Sequence, residues 1–87
     1  MPNYGAELCG QAPSFEADGA QLFDLAIRHA ANGSARADLV LAHMLFNLAA
    51  QKGHRDSVHR RLEIAAEMSA AEIAAAQRAA RSWLARH

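Results

Sequence analysis

Residues 38–53 read DLVLAHMLFNLAAQKG, and their apolar positions crowd more than one helical face: Leu39, Val40, Leu41, Met44, Leu45, Phe46 and Leu48 cannot share one stripe. The pattern predicts a helix over about 37–52, buried on two sides and stopped by Gly53. Upstream, Leu22, Phe23, Ala26, Ile27 and Ala30 recur at helical spacing and predict a first helix over about 16–31, with Asn32-Gly33 supplying residues that tolerate a left-handed helix end. Asp38 is placed to open the second helix with a favourable charge at its N-terminus. A third helix is expected over about 55–68, with Val58, Leu62, Ile64 and Ala65 inward and Arg60, Arg61, Glu63 and Glu67 outward. Ser69-Ala70-Ala71-Glu72 is a capping-box sequence, so a fourth helix should begin at Ala70 and run to about Arg86, with Ile73, Ala76, Gln77, Ala80, Trp83 and Leu84 on one face. No segment alternates with the period of a strand. The expected fold is all-α, about four helices in antiparallel helical hairpins joined by short connections.

The first sixteen residues break this regularity. Pro2, Gly5, Gly10, Pro13 and Ser14 interrupt any period, which predicts a flexible N-terminal arm over 1–16 and a helical domain over 17–87. A chain of 87 residues holds one small domain, and at that size only about 60–65 % of the unfolded surface is buried, so association with a partner would add needed stability. Alanine makes up about a quarter of the sequence, which suits helices packed closely at their contacts.

Net charge is zero but unevenly placed. Residues 1–27 hold Glu7, Glu16, Asp18 and Asp24 without a Lys or Arg, whereas residues 28–87 hold nine basic and five acidic residues, giving −4 and +4. That asymmetry is too weak for a nucleic-acid footprint. Cys9 is alone, the N-terminus lacks the basic and apolar regions of a signal peptide, and no stretch approaches the ~20 apolar residues of a membrane span. These features predict a cytoplasmic protein with no membrane partner.

The segment LFDLAIRHAANGSARADLVLAHMLFNLAAQKG resembles one Sel1-like repeat, a tetratricopeptide-related unit of two antiparallel helices that stacks into an α-solenoid. Leu25, Asp38, Ala42, Phe46, Ala49, Ala50 and Gly53 fall on the repeat pattern without a gap. The tail MSAAEIAAAQRAARSWLARH, with Trp83, is similar to the helix that closes bacterial arrays of this kind. The chain departs from the pattern at Ala26, where glycine is usual, at His29, where tyrosine is usual, and at Asn32, Ser34 and Ala35 in the loop. The resemblance implies a solenoid fragment, one degenerate repeat with capping helices. It assigns packing roles to Leu25, Ala42, Phe46, Ala49, Ala50, Gly53 and Trp83.

Sites of chemistry are not legible. His29, His43, His54, His59 and His87 lack metal-ligand spacing; His54 and His59, five apart, face different sides of a helix, and no Cys-x-x-Cys or His-Glu-x-x-His is present. His29 is expected to be packed and to bridge the first hairpin. Cys9 falls in the predicted arm, away from any fixed base. Asn32-Gly33-Ser34 lacks the glycine spacing and lysine of a phosphate loop. The basic run Lys52, His54, Arg55, His59, Arg60 and Arg61 is interrupted by Asp56 and Glu63 and has no interleaved aromatics. The expectation is a non-enzymatic adaptor or scaffold without metal or cofactor, binding another protein or peptide and no nucleic acid, with Arg55, Arg60 and Arg61 as its candidate surface. A self-associating structural or regulatory protein is the alternative; a metal protein or enzyme is the remote one.

Overall fold

The computed structural model describes residues 17–31 and 36–86, and all regular structure among them is helical. Four helices follow in order: α1 (Gly19–Ala31), α2 (Arg36–Gln51), α3 (Asp56–Ala65) and α4 (Ala70–Arg86). The segment expected as an arm, the Asn32-Gly33 turn, Cys9 and His87 lie outside the described residues.

Helix α2 is the axis of the molecule. Every residue from Leu39 to Phe46 is buried, followed by Leu48 and Ala49, because α1, α3 and α4 all pack on it. This is the two-sided burial that its apolar crowding implies, and each large side chain so covered contributes about 1.5–3 kcal/mol. Helix α1 contributes Leu22 and Ala26, a full helical turn apart, with Phe23 and Ile27 packed at the edge. Helix α4 contributes Ala76, Ala80 and Trp83 along one stripe, where the small alanines let two backbones approach closely. Helices α1, α3 and α4 each pack on α2, and α3 and α4 make little contact with each other.

The helix ends have identifiable causes. At Ser69 the expected capping box is formed: the Ser69 amide donates to Glu72 Oε1 at 2.8 Å and the Glu72 amide donates to Ser69 Oγ at 3.1 Å. A second box opens α1, where the Asp18 amide donates to Gln21 Oε1 at 2.9 Å and the Gln21 amide donates to Asp18 Oδ1 at 2.8 Å. Helix α2 ends in a Schellman motif, in which the Gly53 amide donates to the Ala50 carbonyl at 3.0 Å and the His54 amide to the Ala49 carbonyl at 3.1 Å. Gly53 has a φ of +91°, so the glycine there is required by backbone conformation. Gly19 sits in a close approach of backbones, where a Cβ would lie 3.0 Å from His54 Cβ and 3.3 Å from the Ala49 carbonyl oxygen, tighter than an ordinary contact.

Helix α3 is rotated from its expected orientation. Val58 and Leu62, expected inward, are exposed at 38 % and 62 %, while Ser57, Ile64 and Met68 define the buried line, Met68 lying just beyond the helix. Ser57 is drawn inward by the turn that precedes it, where its hydroxyl lies 2.9 Å from Nδ1 of His54. At 100° per residue, a buried Ser57 places Val58 and Leu62 well away from the core and brings Arg61 partly into it. Gln77, also expected inward, is exposed.

Candidate functional site

Among the packing residues assigned by the repeat resemblance, Ala42, Phe46, Ala49 and Trp83 are buried, Leu25 and Ala50 are half-buried, and Gly53 forms the exposed turn. Phe46 meets Phe23 edge-on, ring centres 5.7 Å apart, and Phe23 in turn stacks on His54 at 4.3 Å. This aromatic line ties α1 to α2 and to the turn before α3. His29 bridges the first hairpin, its Nδ1 lying 3.6 Å from Asp38 Oδ1.

The three arginines expected to form one surface are separated by the rotation of α3. Arg55, just before the helix, faces solvent on the same side as Val58, His59 and Leu62, all four being exposed at helical spacing. Arg60 is exposed on the opposite flank, 3.9 Å from Glu63, and lines a groove of about 250 Å³ between α1, α2 and α3. That groove has an apolar floor of Ile27, Leu39, Phe46 and Ile64 and an acidic contribution from Glu63 and Glu67. Arg61 lies between these directions and lines a second groove.

This second groove, about 280 Å³, is bounded by α2, α3 and α4. His43 and Asn47, one turn apart on α2, line one side; Arg61, Leu62 and Ala65 come from α3, and Ile73 and Gln77, again one turn apart, from α4. Arg61 donates from Nη1 to Asn47 Oδ1 at 2.8 Å, which fixes a half-buried guanidinium at the groove. His43 is 3 % exposed, and its Nδ1 is buried with no hydrogen-bond partner. Burial, and secondarily the positive charge of Arg61, hold its pKa below the ordinary value of 6.5, so the ring is neutral at neutral pH. Among the described residues the groove therefore combines one fixed positive charge, a neutral imidazole, two carboxamides and an apolar wall, with no carboxylate lining it.

The sequence pattern missed this arrangement because it placed Arg61 outward and treated His43 as one of five dispersed histidines. The available signal was the polar pair His43 and Asn47, separated by one turn within an otherwise apolar helix. Among the described residues, no group of three or more His, Cys, Asp or Glu side chains is placed to hold a metal ion. Among the described residues, no helix is long and apolar enough to cross a membrane. Compared with protein-family models, curated proteins and solved structures, the chain matches none.

Proposed function

We propose that this protein is a non-enzymatic interaction module that binds another protein or peptide through helix α3. The observation that carries the reading is the exposure of Val58 and Leu62 one turn apart on a helix whose neighbouring outward positions include Arg55 and His59. Large apolar side chains grouped with arginine at a surface suit a contact that excludes water at its centre and stays polar at its rim. The Sel1-like reading of the first two helices belongs to the same proposal. It draws support from the complete burial of Ala42, Phe46 and Ala49 and from the positive φ of Gly53, positions at which the repeat pattern demands small, aromatic and glycine residues.

The test is affinity capture from a lysate of the source organism with wild-type protein and Leu62→Glu, alongside sedimentation equilibrium of both. Leu62 already lies in water, so the substitution leaves folding intact while placing a charge at the centre of the contact. A stoichiometric partner held by wild type and lost by the variant supports the module. A capture profile identical for both removes α3 as the binding surface, and a wild-type mass that rises with concentration and reverts in the variant transfers the surface to self-association.

A further inference from the structure

Helix α3 carries an apolar contact and, beside it, a fixed positive charge. Leu62 is shared by both, since it is exposed on the outer face and also lines the groove that holds Arg61 and His43. We infer that this groove receives the carboxylate of an aspartate or glutamate side chain from the bound partner, while an adjoining apolar side chain of the same peptide covers Leu62. The inference rests on the reading of α3 as a protein-binding surface.

Charge balance selects the ligand. Among the described residues that line the groove, Arg61 alone carries a formal charge, and none is an acid that would neutralise it. A guanidinium has five N–H donors in a planar fork; Asn47 engages one of them and thereby orients the rest. The free edge of such a fork matches the two oxygens of a carboxylate, and a half-buried site strengthens the pairing over that of an exposed arginine such as Arg55. The imidazole of His43 supplies hydrogen bonding without a second charge. Its Nδ1 is sealed, so the groove meets the ring through its other edge, and the tautomer protonated at Nε2 is favoured because a buried unpaired acceptor costs less than a buried unpaired N–H. One positive charge with neutral donors fits a monoanion; a phosphate dianion would be left half compensated. Leu62, Ala65 and Ile73 form the wall against which the aliphatic stem of an acidic side chain can lie.

The experiment is an NMR titration of the full chain with N-acetyl-Leu-Glu-amide, its glutamine counterpart and inorganic phosphate, following the Arg61 side-chain Nε–H and the His43 ring. The acidic dipeptide should shift both saturably and bind at least about tenfold more tightly than the glutamine form, the difference expected between a charge-assisted and a neutral hydrogen bond. Arg61→Gln should abolish that preference, and Asn47→Ala, which leaves the charge but frees the guanidinium, should weaken it; far-UV circular dichroism establishes that each variant is folded. If Arg61→Gln does not fold, the preference for the acidic form in wild type and its reduction in Asn47→Ala decide the matter. Equal binding of the two dipeptides, no saturable shift with the acidic one, or stronger binding of phosphate overturns the inference. Should it fail while Leu62→Glu still loses its captured partner, the carboxylate assignment alone is wrong; should Leu62→Glu capture normally, the underlying surface is wrong as well.

Discussion

Replacing His43 by leucine should stabilise this protein, against the usual direction of core substitutions. His43 lies in the middle of the most buried helix, where every residue from Leu39 to Phe46 is buried, and its Nδ1 has no partner. A polar atom sealed without a hydrogen bond costs about 1–3 kcal/mol. Leucine has comparable volume, so it removes that cost with little strain and adds apolar burial. A gain of about 1–3 kcal/mol follows, and in a domain of this size each kcal/mol moves Tm by about 4–8 °C. The gain should also depend on pH. Burial and Arg61 hold the folded-state pKa of His43 below 6.5, whereas the unfolded chain protonates near that value. As pH falls through 6.5 the unfolded state binds a proton that the folded state refuses. Stability contributed by neutral His43 is then present above 6.5 and declines as pH falls toward the folded pKa, with a slope of at most about 1.4 kcal/mol per pH unit. Leucine has no such slope, so the gap between variant and wild type should widen on acidification. Urea denaturation followed by far-UV circular dichroism, at several pH values on both sides of 6.5, measures this directly. A variant no more stable than wild type, or a gap that stays constant with pH, would refute the reasoning.

Two further substitutions test the helix ends. Gly53→Ala should lower stability by about 1–2 kcal/mol through backbone conformation alone, since no atom lies within 4 Å of the added Cβ; thermal denaturation should show a Tm reduced by about 4–16 °C, and an unchanged Tm would mean that the positive φ is not required. Asp18→Ala removes one half of the box that opens α1 and should cost about 0.5–2 kcal/mol, read as a lower urea midpoint with an unchanged slope; a midpoint equal to that of wild type would deny the cap a role in stability.

How much of this was legible in the sequence differs from element to element. The four helices and their approximate limits follow from local rules: apolar spacing for α1 and α4, a glycine stop for α2, and a Ser-x-x-Glu box for α4. The box at Asp18 and Gln21 obeys the same rule and is equally local, but apolar spacing alone carries the first helix back to about residue 16 and places the aspartate inside it. The central place of α2 was legible too, since seven large apolar residues crowded around a helix demand neighbours on more than one side.

The orientation of α3 was a different matter. Its sequence, DSVHRRLEIA, offers apolar residues on two partly overlapping faces, one through Val58 and Leu62 and one through Ile64, and local hydrophobicity favours the first. The face that is buried was selected by contacts distant in sequence: the turn at Gly53 and His54, the serine hydroxyl it holds inward, and the asparagine on α2 that engages Arg61. By itself the sequence determined the helices, their ends and which helix lies at the centre, because hydrogen bonding and amphipathic spacing act within a few residues. Only the tertiary structure decided which side of α3 meets solvent, and with it the exposed leucine and the arginine beside a buried imidazole, because a helix rotates as a rigid body to satisfy the sum of its contacts.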